Sequence, residues 1–205
     1  MTATDTPLLS YLRQATQAEH RRLERQPLLQ PLLEPALDQR HYAMVLAAFH
    51  GYYRALEPRL LTRLEDPFAG QDIHYHYLPR AGLLYLDLLD LKVAESGSAG
   101  HRLPMPTLAT PDHVLGTLYV LEGATQGGRV IAPRVSRALN LGPLHGARYF
   151  HLHLHEQWQH FRTLAERRQP NHDHERVAAG AIETFSTLRA HLDAWSTDST
   201  RSIRP

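Results

Sequence analysis

Two stretches of this 205-residue chain hold residue types whose spacing could do chemistry. In LRQATQAEHRRLE (12–24), His20 shares a helical spacing with Leu8, Leu12, Thr16 and Leu23. It is therefore expected to face inward, while Glu19, Arg21 and Arg22 face water. A neutral imidazole on a rigid helix is a common ligand for heme iron or zinc. The alternative is a core-edge histidine bonded to a backbone carbonyl. Arg13 lies seven residues earlier, two turns and about 10 Å along a helix axis. It could meet an acidic group of a ligand held at His20, or simply point into solvent.

The second stretch, LEGATQGGRV (121–130), places Gly123, Gly127 and Gly128 inside an apolar, helix-capable segment. Each glycine inside a helix costs roughly 0.5–1 kcal/mol relative to alanine. Gly123 and Gly127 are four apart and share one side, which leaves bare backbone there. Close helix packing, a flexible kink, or approach of a flat ligand would each explain it. Pro133, downstream, is expected to kink this helix near Arg129.

Composition narrows the field. The chain has no cysteine, which removes thiol catalysis, iron–sulfur clusters and a disulfide framework. Net charge is +1 with no basic run, which argues against a nucleic-acid partner. No apolar stretch reaches spanning length and the start MTATDTP is not a signal peptide, so a soluble cytoplasmic protein without a membrane partner is expected. The 15 histidines are scattered, so each needs its neighbours to justify a role.

The elements that must position these residues are helical throughout, with no strand alternation, repeat or domain boundary. A first helix opens at Thr6-Pro7 as N-cap and first position. A second spans about 39–65 with Val45, Phe49, Tyr52, Leu56 and Leu60 on one side, and a leucine-rich third spans 77–93. Residues 94–110 form the longest loop, and Thr110-Pro111 caps the glycine-bearing helix. One continuous helix is then expected with Phe150, Leu154, Trp158, Phe161 and Ala165 along a side. A last one carries Val177, Ala181, Phe185, Leu188, Leu192 and Trp195, before a loose tail from about 197. The expectation is an all-α single domain over residues 1–205, of six or seven helices with its core at about 7–195.

TQAEHRRLE and YVLEGATQGGRV, taken together, resemble the heme oxygenases, in particular the bacterial branch associated with bacteriophytochromes. The resemblance implies a fold in which heme is sandwiched between a proximal helix and a kinked distal helix. His20 would be the proximal ligand of the heme iron. Gly123, Gly127 and Gly128 would lie on the distal side, with Gly123 and Gly127 as the wall over the opposite face. Arg13, Tyr119 and Arg162 match propionate-side positions and Phe185 an aromatic lining position. The implied reaction uses dioxygen and electrons from a ferredoxin or a reductase to give biliverdin, carbon monoxide and ferrous iron. A bacteriophytochrome is an implied acceptor of the bilin. Where many members carry an aspartate after the first distal glycine, this chain has Ala124. Glu122 and Gln126 are nearby polar candidates for that role, with a solvated face as the other reading of both.

Other readings stay open. His151 and His155 stand at i and i+4 in HLHLHEQWQH (151–160), with Glu156 and His160 following, a spacing that can bind one metal. A solvated helix face is the favoured explanation. NHDHE (171–175) reads as a turn plus cap. Thiamine-degrading hydrolases of similar fold need a cysteine that is absent. A di-iron site would need inward carboxylates, for which Glu19, Glu57, Asp87 and Glu183 form no evident set. A non-catalytic heme carrier or sensor, and a helical interaction module, remain as the alternatives to an enzyme.

Overall fold

The helical periodicity resolves into seven α-helices in a computed structural model that describes residues 7–65, 75–93, 104–168 and 172–201. They are α1 (Leu8–Glu24), α2 (Gln39–Glu65), α3 (Ala81–Asp90), α4 (Pro111–Thr125), α5 (Gly128–Leu139), α6 (Gln157–Arg168) and α7 (His174–Arg201). Short 3-10 helices occupy Gln30–Leu33 and Tyr149–His155. Among the described residues there is no strand, only isolated bridges from Gly142 to His145 and Gly146. The fold is all-α and a single domain.

α4 is the axis of the arrangement. Val114 to Leu118, Val120 to Glu122 and Thr125 are all buried, so the helix is covered on every side. A helix apolar all round belongs in the interior. α7 crosses it where both lack side chains: a Cβ at Gly116 would stand 2.1 Å from the Val177 carbonyl oxygen, and one at Gly180 would stand 2.8 Å from the His113 backbone. Thr117 and Thr184 join the helices by a 3.0 Å hydroxyl bond one turn further on. α1 and α2 lie against α7 in turn. On α2, Tyr42, Val45, Leu46, Tyr52, Tyr53, Leu56 and Leu60 are buried, and Tyr52 meets the Thr187 hydroxyl at 3.0 Å.

Several boundaries differ from the periodicity. α3 begins at Ala81 because Pro79 biases the preceding residues toward extended backbone. Glu57 on α2 accepts the Arg80 and Ala81 amides and so caps the helix. The expected kink at Arg129 falls earlier, as a break between Thr125 and Gly128. There the bonds Gln126 to Gly123, Gly127 to Ala124 and Arg129 to Gln126 run i to i−3. The expected continuous helix through Phe150 is split by Glu156, whose φ of 57° ends the 3-10 turn. Leu154 is consequently 61% exposed rather than inward. α7 continues to Arg201, through the start of the expected tail. Thr6, and the 94–103 part of the loop, lie outside the described residues. Thr110 does cap α4, accepting the His113 amide.

Two outcomes follow from the α7 contacts. Gly180→Ala forces a Cβ into the His113 backbone and is expected to cost about 1–3 kcal/mol. Gly82→Ala, with nothing within 4 Å, should be neutral or gain up to about 1 kcal/mol. Urea midpoints distinguish the pair. His191 is buried, shares a 2.9 Å bond between Nε2 and the Ala48 carbonyl, and has no partner on Nδ1. Burial lowers its pKa from 6.5, with the Ala48 bond opposing. The unfolded chain therefore takes up this proton first on acidification, so stability should fall as the pH drops through 6.5 toward the lowered folded value. The fall should be smaller in His191→Gln.

Candidate functional site

α1 supplies the imidazole. Leu8, Leu12 and Thr16 are buried against the bundle. The stripe then opens toward solvent, and the His20 side chain is 60% exposed, not inward as its spacing suggests. Its Nδ1 stands 3.3 Å from Glu24 Oε1, one turn on. A carboxylate on one ring nitrogen fixes the tautomer and leaves Nε2 for a metal. Phe185 of α7 stands edge-on to the imidazole, centroids 6.0 Å apart at 74°. Phe185 is buried with Val120 and Ala181, and Leu23 and Tyr119 pack against this cluster. Residues of α1, α4 and α7 thus meet beside His20.

The glycines divide by use. Gly128 has a packing cause, since a Cβ there would stand 2.1 Å from the Phe150 carbonyl oxygen and 2.7 Å from His153 Nδ1. The contact between α5 and the 149–155 turn is enough to require glycine there. Gly123 has no such cause, because a Cβ would meet only Trp158 Cζ3, at 3.8 Å. At Gly127 the nearest atom is the Ala124 carbonyl oxygen at 3.2 Å, within the same turn, and the residue is exposed. Of the three uses open to the sequence, packing claims Gly128 and the break claims Gly127, while Gly123 is left beside Trp158.

Trp158 belongs to a cavity of about 340 Å³ that Arg13, Tyr119, Arg162, Ala165 and Glu166 also line. Arg13, Tyr119 and Arg162, from α1, α4 and α6, are therefore brought together. Arg162 is 47% exposed and pairs with Glu166 at 3.8 Å, a weak surface contact that an incoming carboxylate could replace. Tyr119 and Trp158 rings lie 6.0 Å apart. The donor set fits an iron-bearing flat molecule with acidic arms. It comprises an imidazole whose Nε2 is left for a metal, backbone bare of a Cβ at Gly123, and two guanidinium groups at one cavity.

The expectation for Glu122 is overturned. Its side chain is 0% exposed, and it accepts from Arg80 Nη2 at 2.8 Å and from the Tyr75 hydroxyl at 2.7 Å. Arg80 is 1% exposed and its guanidinium stacks over Tyr77 at 4.4 Å. Tyr77 donates to Glu57 at 2.8 Å. Burial, then the Glu122 charge, push the Tyr75 phenol well above its usual range, so it stays protonated as a donor. A glutamate in a helix covered on every side is the signal available in the sequence, because buried charges are paired. Gln126 is bonded to Thr125 and Arg129. Neither side chain is left to act at Ala124.

The rival sites dissolve. Asp87 accepts the Arg148 and Tyr149 amides, Glu57 caps α3 and Glu183 holds Thr107, so these carboxylates serve separate loops. His151 and His153 bond to the Ala147 and Phe150 carbonyls. Among the described residues no three His, Asp or Glu side chains could hold a metal ion. Asp173 caps α7, and its neighbour His172 pairs with Asp112.

Residues 6–194 match the model of the heme oxygenase family. Solved structures share the fold. The heme oxygenase from Neisseria meningitidis, in its NO- and CO-bound forms, gives a TM-score of 0.71 at 19% identity, covering 93% of this chain and 92% of that one. That from Leptospira interrogans gives 0.68 at 22%, covering 91% and 98%. Heme oxygenase-1 from the cyanobacterium Synechocystis, in complex with heme, gives 0.67 at 18%, covering 97% and 96%. At these identities the likeness is one of fold. No curated protein matches the chain in sequence.

The division of the glycines has a direct check. Gly128→Ala should lower stability by about 1–3 kcal/mol, whereas Gly123→Ala should keep it or gain up to about 1 kcal/mol. Thermal melts of the ligand-free proteins give the comparison.

Proposed function

This chain belongs to the heme oxygenase family, and from that premise we propose that it cleaves heme with dioxygen and external electrons to biliverdin, carbon monoxide and ferrous iron. One observation carries the reading: an imidazole whose Nδ1 faces Glu24 beside Phe185, two turns from Arg13 at a cavity shared with Tyr119 and Arg162.

In this proposal His20 Nε2 holds the iron, and Glu24 keeps the other ring nitrogen protonated. Arg13 and Arg162 hold the propionates, with Tyr119 lining their side. Phe185, Val120, Ala181 and Leu23 exclude water from one edge. Bare backbone at Gly123 and Gly127 lets the distal segment lie close over the opposite face, where a side chain would obstruct dioxygen. Bound heme would supply the iron that binds dioxygen, and is itself the molecule oxidised. A histidine donates less strongly than a thiolate, which disfavours early O–O cleavage. Electrons come from a partner such as a ferredoxin or a reductase, and a bacteriophytochrome is a fitting acceptor for the bilin. A cytoplasmic setting suits both. Among the described residues no helix is long and apolar enough to cross a membrane.

Ala124 favours a second reading, a heme carrier or sensor without turnover. Its neighbours Glu122 and Gln126 are bonded to Arg80 and Arg129, so neither is left to order distal water. Heme plus ascorbate or a ferredoxin system separates the two. The enzyme loses its Soret band and yields a bilin, and a carrier keeps its spectrum. His20→Ala should abolish the histidine-ligated spectrum, and Gly127→Leu should cut bilin yield while leaving heme bound. Undiminished bilin from either variant removes that residue from the site.

A further inference from the structure

The Arg80–Glu122 pair has no part in the chemistry above, yet Glu122 immediately precedes Gly123. Its carboxylate is held at both oxygens, by Arg80 at 2.8 Å and Tyr75 at 2.7 Å. Arg80 is in turn fixed by α2, because Glu57 accepts its amide and also binds Tyr77, over whose ring the guanidinium lies. The last turn of α4 is thus tied to α2 and to the start of α3.

Beyond Glu122 the tethers stop. Gly123 and Gly127 have no side chain, and Ala124 and Gly127 are exposed. Thr125 donates only to the Glu122 carbonyl, back into its own turn. The next fixed point is Gly128 against Phe150. Backbone 123–127, with its shortened i to i−3 bonds, is suspended between these anchors.

We propose that Glu122, Arg80 and Tyr75 are positioning residues that set where the Gly123–Gly127 backbone lies. The proposal rests on the heme oxygenase reading, since the segment is the distal wall in that reading. The pair acts through main chain and touches neither substrate nor iron. With Ala124 in the sequence, no side chain at that position can share the task. Fixing the upstream end while the glycines are held by main-chain bonds alone gives a wall with one firm hinge, suited to a site that must close on a flat substrate and open for product.

Hydrogen exchange of the ligand-free 205-residue chain tests the tether. Tyr75→Phe removes one bond to Glu122, and Glu122→Gln removes its charge with little change of shape. In both, amides of 123–130 should exchange about fivefold faster or more, with α2 and α7 amides unchanged. In the heme-loaded variants the carbon monoxide stretching frequency should shift from wild type, and Tyr75→Phe should shift it less than Glu122→Gln. Faster exchange spread evenly over the chain means the pair only stabilises the fold, and overturns the proposal. Locally faster exchange with an unmoved carbon monoxide band also overturns it. If the wild-type chain takes up no heme, the functional reading fails by itself, and the exchange pattern alone decides whether the tether exists.

Discussion

α4 shows bare backbone at two levels along its length, and the rest of the molecule is arranged around that constraint. Toward α7, Gly116 answers Gly180 at distances that admit no Cβ, which fixes how closely the two helices approach. Beyond Leu121, Gly123 presents backbone where only Trp158 comes within 4 Å of the place a methyl group would take. The same helix is closed against α7 at Gly116 and carries an unfilled Cβ position at Gly123. Glycine is costly in a helix, and no packing contact accounts for it at Gly123.

The ion pair at the junction of these two regimes is expensive in its own right. Removing one partner of a buried pair typically costs about 3–5 kcal/mol, while the intact pair adds little net stability over apolar packing. Its worth is geometric. Arg80 reaches Glu122 from 42 positions away, and with Glu57 and three tyrosines around it the junction has few alternative arrangements.

Much of this is legible in the sequence. Thr110-Pro111, the α2 stripe and the α7 stripe follow from local spacing, and local spacing is what the letters record. Arg13, Tyr119 and Arg162 do meet at one cavity. The failures have physical causes. Glu122 reads as solvated because its partner sits in another segment. Gly116 and Gly180 attract no notice because a lone glycine declares no partner. The 3-10 turn at Tyr149–His155 hides behind a plausible helical stripe that Glu156 interrupts. His20 reads as inward because its spacing follows Leu12 and Thr16, yet its side chain is mostly exposed and only the edge of Phe185 stands beside the ring.

In the proposed site His20 and the glycine backbone face the two sides of one tetrapyrrole. A crystal structure of the chain grown with hemin is the decisive measurement. The expected result is His20 Nε2 on the iron, Gly123 and Gly127 main chain over the other face, and propionates directed to Arg13 and Arg162. Hemin bound elsewhere, or an iron ligated by any residue other than His20, would contradict it.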